Sequence, residues 1–185
     1  MLYEFLIPFG TIALAELGDK TQLVVLCLAS KTRKHGQLLL GLMLGFLLAD
    51  GLAVLFGGAI TKIVPDAILK GLAGGLFLFF GVRTLLEKSE EREKCEMGMP
   101  IWSGLATAFI LEMGDKTQLS AALFATQYSL IPVFLAVMAA LFALTLAEIL
   151  VGRELMKRVD RKRLSLAAGA LFILLGIAML VSIVL

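Results

Sequence analysis

Six long apolar runs, separated by short polar stretches, make up most of the chain. They cover residues 2–30, 37–60, 67–86, 100–126, 130–151 and 164–185. An α-helix needs about 20 predominantly apolar residues to cross the hydrocarbon core of a bilayer, and every run reaches that length. The pattern therefore predicts an all-α integral membrane protein with six transmembrane helices.

A polar octet interrupts the first run and recurs in the fourth. Residues 16–23 read ELGDKTQL, and residues 112–119 read EMGDKTQL, 96 positions later and with a single exchange. A second likeness links residues 72–81 in the third run with residues 167–176 in the sixth, at an offset of 95. The last three runs therefore repeat the first three.

Three spans per copy is an odd number, so the second copy must enter the membrane from the opposite side. This predicts two inverted repeats, an arrangement common among secondary transporters. We expect the first three-helix repeat at residues 1–86 and the second at residues 100–185. A charged cytoplasmic linker at residues 87–99 is expected to join them.

Basic residues are concentrated on one side of the predicted bundle. The stretches after spans one, three and five, with the rim of span three, hold thirteen of the seventeen Lys and Arg residues: Lys31, Arg33, Lys34, Arg83, Lys88, Arg92, Lys94, Arg153, Lys157, Arg158, Arg161, Lys162 and Arg163. The opposite side holds only Lys62 and Lys70. Because cytoplasmic loops carry an excess of Lys and Arg, we predict a multi-pass protein of the cell inner (plasma) membrane with both termini extracytoplasmic.

Composition agrees with this pattern and narrows the function. Apolar residues make up 59% of the chain and charged residues 17%, against roughly 45–50% apolar in a typical soluble domain. The formal net charge of +2, without any interleaving of arginine and aromatic residues, predicts no nucleic-acid partner. Cys27 and Cys95 show no metal or redox spacing, so we expect them to be unpaired thiols.

The ionisable residues of the two octets are candidates for a functional site. Even the lower estimates put roughly 2.5–3.5 kcal/mol on an Asp or Lys at the centre of a transmembrane helix. On a helix, Glu16 and Asp19 are three residues apart and share a face, and Glu112 and Asp115 repeat this spacing. Where two such helices face one another across a pseudo-two-fold axis, the four carboxylates converge near the midplane.

Neighbouring residues can complete an oxygen-rich site. Neutral oxygen atoms are available from four side chains: Thr21, Gln22, Thr117 and Gln118. A local opening of the helix at Gly18 or Gly114 would expose backbone carbonyls to a cavity. Lys20 and Lys116 reduce the charge of the four carboxylates to −2, which one divalent cation or two protons would neutralise.

An acidic, oxygen-rich site without nearby His or Cys suits a hard divalent cation, namely Ca²⁺, Mg²⁺ or Mn²⁺. The alternative is a polar network that only joins helices. Asp50 and Glu148 add carboxylates to the second and fifth runs, but they do not occupy matching repeat positions. Each of the two can be interpreted as a residue that pairs with a neighbouring helix or as one at the membrane rim. We expect Asp50→Asn to impair transport less than the loss of an octet carboxylate.

The doubled Glu-x-Gly-Asp-Lys-Thr motif in a small six-span chain resembles the family of manganese and calcium cation/proton exchangers, which includes small bacterial manganese exporters. The resemblance covers essentially the whole chain. It implies that four residues bind the cation: Glu16, Asp19, Glu112 and Asp115. It also implies that four others complete the motifs: Lys20, Thr21, Lys116 and Thr117. The transported substrate would be Mn²⁺ or Ca²⁺ and the coupling ion H⁺, with no cofactor.

We therefore predict a secondary active transporter that exports Mn²⁺ in exchange for H⁺, and not an enzyme. A Ca²⁺/H⁺ exchanger is an alternative with the same site. A metal-dependent intramembrane enzyme would need an asymmetric site with a nucleophile or general base, whereas this site is near-symmetric and has no His. A packing subunit would use glycine pairs to associate with a partner, and Gly41/Gly45 and Gly71/Gly75 have the spacing for close helix packing.

Overall fold

A computed structural model of the chain describes residues 2–17, 19–86, 96–156 and 161–183. Within these residues every regular element is helical and no strand occurs. The elements are α1 (Leu2–Glu16), α2 (Lys20–Lys31), α3 (His35–Phe46), a π-helical segment (Leu47–Gly51), α4 (Leu52–Ile60), α5 (Asp66–Leu86), α6 (Pro100–Glu112), α7 (Lys116–Gln127), α8 (Leu130–Met156) and α9 (Arg161–Val181). The predicted all-α fold is confirmed for this part of the chain.

Four helical stretches in the described residues are long and apolar enough to cross a membrane. They are His35–Ile60, Asp66–Leu86, Leu130–Leu150 and Lys162–Val181. These four correspond to the second, third, fifth and sixth predicted spans. The first and fourth predicted spans, which carry the octets, consist of helices of only 12 to 15 residues.

Each octet lies at a break between two helices. α1 ends at Glu16 and α2 begins at Lys20, while α6 ends at Glu112 and α7 begins at Lys116. The expectation that Glu16 and Asp19 share one helical face is therefore wrong, and so is its counterpart in the second octet. The reason is that the helix ends between the two carboxylates of each octet.

Gly114 accounts for the break in the second octet. Its φ of +78° lies in the left-handed region that residues with a Cβ rarely adopt. Asp115 follows in an extended conformation as the N-cap of α7, and its amide donates to the carbonyl of Glu112 at 3.0 Å. The amide of Asp19 donates to the carbonyl of Glu16 at the same 3.0 Å. The two breaks are thus closed by equivalent backbone bonds.

Close glycine contacts join α5 and α9, which run antiparallel. Gly74 lies opposite Gly176, and Gly81 lies opposite Gly169. A Cβ at any of the four positions would come within 3.0 Å of the backbone oxygen of the opposite glycine. The helices can approach this closely because none of the four residues has a side chain.

The other helices form two further sets of contacts. α3 packs along α6 and α4 along α7, with Gly41 against Ile101 and Gly57 against Ala122. α1 and α2 pack along α8, and the amide of Ser129 donates to Glu4 at 3.3 Å. In both sets the contacts advance in the same direction along the two partners, so the packed helices run parallel to each other.

The glycine pairs expected to pack closely differ in the structure. Gly41 and Gly45 are buried against α6, where a Cβ at Gly45 would meet Ala108 at 2.6 Å. Gly75 is exposed, and a Cβ there would meet no atom within 4 Å. The contact on α5 is instead made by Gly74 and Gly81, because they lie on the face of α5 that is turned towards α9.

Aromatic rings fix α7 against the α5–α9 pair. The ring centroid of Phe77 lies 5.1 Å from that of Phe124 and 5.7 Å from that of Phe172. All three rings are fully buried. Contacts of this kind hold the second half of the broken octet segment in a fixed position relative to the remaining helices.

Cys27 is disulfide-bonded in the structure. The expectation that both cysteines are unpaired thiols is therefore wrong for Cys27, because the linear spacing of cysteines does not reveal which chain segments the fold brings together. Several other predicted features lie outside the described residues: Gly18, Cys95, residues 87–95 of the linker and residues 157–160 of the basic stretch.

Candidate metal-binding site

The two helix breaks lie against each other and exchange hydrogen bonds. The hydroxyl of Thr21 donates to Oε1 of Glu112 at 3.0 Å, and the hydroxyl of Thr117 donates to Oε1 of Glu16. All four side chains are buried. Each octet therefore supplies the threonine that holds the glutamate of the other octet, and the two octets form one site.

Three of the four predicted carboxylates form a compact cluster. Oxygen atoms of Glu16, Asp19 and Asp115 all lie within 4.8 Å of one another. Calcium–oxygen ligand distances are about 2.3–2.6 Å, so ligands on opposite sides of such an ion are separated by up to roughly 5 Å. The spacing of the three side chains is therefore that of oxygen ligands around a single hard cation. We refer to these three residues as the three-carboxylate cluster.

Lys116 places a positive charge beside this cluster. Its ammonium group contacts Asp19 across the two repeats and lies 3.5 Å from Asp115. The Lys116 side chain is only 12% exposed, so water screens these ion pairs poorly. The lysine therefore reduces the charge of the cluster from −3 to −2. Of the other octet lysine, Lys20, only the backbone is described, as the first residue of α2.

Glu112 stands beside the three-carboxylate cluster rather than in it. It is fully buried at the end of α6, and its Oε2 has no hydrogen-bond partner among the described residues. Asp50, in the π-helical segment, is also fully buried, and neither of its carboxylate oxygens has a described partner. The residue before Asp50, Ala49, accepts a hydrogen bond from Gln118, so this segment packs against the second octet.

The two octet glutamines have different neighbours. The amide nitrogen of Gln118 donates to the carbonyl of Ala49 at 3.1 Å, and its oxygen accepts from the amide of Gly114 at 2.8 Å. Gln22 lines a small cavity together with Glu148 on α8. Each glutamine thus lies next to a neighbouring transmembrane stretch instead of adding an oxygen to the three-carboxylate cluster.

Glu148 is a site residue to which the sequence assigned no role. It lines a small cavity beside the first octet together with Glu16, Thr21, Val25 and Phe46, and with Gln22, Leu141, Leu144 and Thr145. Thr145 and Glu148 are three residues apart on α8, the spacing that brings two side chains to one helix face. That spacing in an apolar run was a signal available in the sequence.

Comparison with known proteins gives one family match over most of the chain. The family model described as "Divalent cation/proton antiporter GDT1" matches residues 4–92 and 100–184. A Vibrio cholerae protein named "Putative manganese exporter" is 33% identical over 124 residues, 66% of this chain and 62% of that protein. The matched part of the chain thus spans less than two thirds of this relative.

More distant relatives match over nearly the full length. A GDT1-like protein of Synechocystis is 26% identical over 96% of this chain and 96% of its own length. A GDT1-like protein of Schizosaccharomyces pombe is 23% identical over 88% of this chain and 83% of its own length. No solved structure matches the chain.

Proposed function

Because the chain belongs to the GDT1 family of divalent cation/proton antiporters, we propose that it is a secondary transporter that expels Mn²⁺ from the cytoplasm in exchange for protons. The observation that carries this proposal is the three-carboxylate cluster, to which both octets contribute. A relative that shares 33% of its residues over the matched region is named as a manganese exporter, which supports the choice of Mn²⁺. The carboxylate oxygens of the cluster are also ligands that suit Mn²⁺.

The four octet carboxylates are the proposed ligands of the transported ion. Glu16, Asp19 and Asp115 have the mutual spacing of oxygen ligands around one cation. Glu112 accepts a hydrogen bond from Thr21, which belongs to the same octet as Glu16 and Asp19. The hydroxyls of Thr21 and Thr117 fix the orientation of the two glutamates, and this limits the reorganisation that metal binding requires.

Two inverted three-helix repeats are the proposed architecture. When each helix is replaced by its counterpart in the other repeat, the contact of α1 and α2 with α8 becomes the contact of α6 and α7 with α3 and α4. The α5–α9 pair is its own counterpart: Gly74 corresponds to Gly169, and Gly81 corresponds to Gly176. Parallel packing in the first two sets and antiparallel packing in the third is the pattern expected of six alternating spans.

Proton exchange follows from the chemistry of the ligands. A carboxylate must be ionised to bind a metal ion, so arrival of the ion releases protons and its departure permits their return. The three-carboxylate cluster together with Lys116 has a net charge of −2 and becomes neutral with one divalent cation or with two protons. Movement of one repeat against the other, around a site that both repeats build, would open that site to each side of the membrane in turn.

The orientation we propose places the basic loops in the cytoplasm, so both termini are extracytoplasmic and Mn²⁺ leaves towards the side of the termini. The lipid bilayer and the divalent ion are the partners this function requires. A Ca²⁺/H⁺ exchanger would share every one of these features. Competition between the two ions for transport distinguishes the two substrates, as described below.

Substitution of the ligands tests the proposed site. Glu16→Gln, Asp19→Asn, Glu112→Gln and Asp115→Asn are each expected to abolish Mn²⁺ flux into proteoliposomes while the protein still inserts, because each removes a charged ligand. Asp66→Asn is the matched control, since Asp66 is an exposed carboxylate that pairs with Lys70 at the start of α5. A variant of the four with wild-type flux and affinity would exclude that residue from the site.

A further inference from the structure

Three buried carboxylate oxygens beside the three-carboxylate cluster have no hydrogen-bond partner among the described residues. They are Oδ1 and Oδ2 of Asp50 and Oε2 of Glu112, and both side chains are 0% exposed. Buried carboxylates are ordinarily paired, hydrogen-bonded or bound to a metal ion, because an isolated buried charge is strongly unfavourable. These oxygens therefore require a positively charged or proton-donating partner that the described side chains do not provide.

The backbone around Asp50 is specialised to place this side chain. Asp50 lies in the π-helical segment Leu47–Gly51, in the middle of an otherwise α-helical stretch. Single π turns inside α-helices occur frequently at functional sites, because the extra residue redirects a side chain. Here the carboxylate is in the second apolar run, in a segment that packs against α6 and α7 on either side of the second break.

Gln118 fixes Asp50 relative to the second octet. Its side chain donates to the carbonyl of Ala49, the residue before Asp50, and accepts from the amide of Gly114 in the helix break. One side chain thus connects the π segment with the turn that separates Glu112 from Asp115. Asp50 is held in place through its backbone, which leaves both carboxylate oxygens available to a ligand.

Asp50 and Glu112 differ from the neighbouring three-carboxylate cluster in the charged groups around them. Lys116 already provides a positive charge to Asp19 and Asp115. Among the described residues, none donates to the three unpartnered oxygens of Asp50 and Glu112. Two buried carboxylates to which no described side chain donates match the charge of one divalent cation.

We propose that Asp50 and Glu112 form a second binding position for the transported divalent cation, beside the three-carboxylate cluster. This rests on the proposed function and extends it, because it adds a ligand from outside the octets and a second position along the path of the ion. The structure thereby gives Asp50 a larger role than the mild one expected from the sequence. Its oxygen ligands select the same class of hard cation as the cluster does.

Metal binding by the purified full-length protein tests the assignment. The probe is Mn²⁺ alone, whose free aqueous ion is followed by its electron paramagnetic resonance signal while protein is added. Asp50→Asn is expected to lose one Mn²⁺ position, so that it binds fewer Mn²⁺ ions per chain than the wild type while the binding by the three-carboxylate cluster remains. Asp66→Asn should bind Mn²⁺ like the wild type. The same number of bound ions with the same affinity in Asp50→Asn and in the wild type would overturn the assignment, whether or not the variant also loses its response to a pH gradient.

Failure of the broader proposal gives a different result. If the wild-type protein itself binds no Mn²⁺, the proposed function is contradicted; if the wild type binds and Asp50→Asn binds equally, only the second position is contradicted.

Thermal unfolding without metal supplies an independent readout. Because the oxygens of Asp50 have no described partners, the near-isosteric variant Asp50→Asn should melt no lower than the wild type. A variant that unfolds at a lower temperature, or fails to fold, would show that Asp50 has a structural role and would contradict the assignment.

Discussion

At the scale of single residues, the site depends on side chains that reach from one repeat to the other. Thr21 and Thr117 each hold the glutamate of the opposite octet, and Lys116 contacts Asp19 of the other repeat. Two members of the three-carboxylate cluster, Glu16 and Asp19, are therefore contacted by side chains of the opposite octet. Disturbing one octet should alter the ligand geometry of both.

Ion selectivity is the property that follows most directly from these residues. The cluster offers carboxylate oxygens within 4.8 Å of one another, a spacing that suits an ion bound directly by protein oxygens. Mg²⁺ is smaller, dehydrates reluctantly and retains several waters, whereas Ca²⁺ accepts many direct oxygen ligands in flexible geometry. We therefore expect Ca²⁺ to compete with Mn²⁺ for transport and Mg²⁺ to compete poorly.

Mn²⁺ uptake into proteoliposomes in the presence of equal excesses of Ca²⁺ or Mg²⁺ measures this selectivity. Potassium at matched ionic strength is the control for screening. Equal inhibition by Mg²⁺ and Ca²⁺ would contradict direct coordination by the carboxylates. If Ca²⁺ proved the better substrate of the two transported ions, the Ca²⁺/H⁺ alternative would replace Mn²⁺ export.

The sequence identified the octet carboxylates as candidates but not the partner of each side chain. Doubling of the octet and the cost of charge in an apolar run were sufficient to select Glu16, Asp19, Glu112 and Asp115. Which threonine contacts which glutamate depends on how the repeats pack, and that is a property of the tertiary structure. The contact between the segment that carries Asp50 and the second octet, made by Gln118 to the carbonyl of Ala49, is likewise a property of the tertiary structure.

At the scale of helices, broken segments place the octets at the centre of the fold. Both ends of each break expose backbone groups that a continuous helix would satisfy internally. Helix ends inside a membrane protein are tolerated where they are buried in protein or line a cavity. The breaks therefore belong with the polar site and would be difficult to maintain without it.

The breaks were only partly predictable. Glycine and charged residues in each octet indicated where a helix could open, and Gly114 does adopt a positive φ. Helical periodicity nevertheless placed the two carboxylates of each octet on one face, which the structure contradicts. Periodicity describes a continuous helix and contains no information about a turn whose stability comes from contacts with other helices.

Glycine contacts between α5 and α9 lead to a prediction for helix packing. A Cβ at Gly81 would lie 2.6 Å from the side chain of Ile173 and 2.9 Å from the backbone oxygen of Gly169. Gly81→Ala should therefore force the helices apart and destabilise the protein by about 1–3 kcal/mol, the usual cost of overpacking. Gly75→Ala on the same helix meets no atom within 4 Å and is the matched control.

Thermal unfolding of the two variants in the same detergent tests this packing. Gly81→Ala should melt at a lower temperature than the wild type, and Gly75→Ala should melt at the same or a higher temperature because alanine favours the helix. Equal melting temperatures for the two variants would mean that α5 and α9 are not in close contact at Gly81.

At the scale of the whole molecule, the distribution of basic residues predicts the orientation in the membrane. Lys34, in the loop before α3, belongs to the side rich in Lys and Arg, whereas Lys62 lies in the loop between α4 and α5 on the opposite side. Both side chains are exposed. In a background with Cys27→Ser and Cys95→Ser, Lys62→Cys should react with a membrane-impermeant maleimide in intact cells, and Lys34→Cys should react only in inverted vesicles.

The reverse labelling pattern would contradict the proposed orientation and the direction of transport inferred from it. Labelling of both positions from the same side would contradict the odd number of crossings on which the inverted repeat depends. The all-α fold was the feature best predicted from the sequence, because the length and apolar character of whole segments do not depend on the detailed packing of side chains.

Coupling between metal and protons is the central claim at this scale, and Mn²⁺ flux in proteoliposomes at a clamped membrane potential measures it most directly. Vesicles with an acidic lumen should take up Mn²⁺ against its concentration gradient while their lumen becomes more alkaline. Without a pH gradient uptake should stop when the Mn²⁺ concentrations are equal. Mn²⁺ flux that is indifferent to the pH gradient, with no counter-movement of protons, would contradict antiport and favour a channel or uniporter.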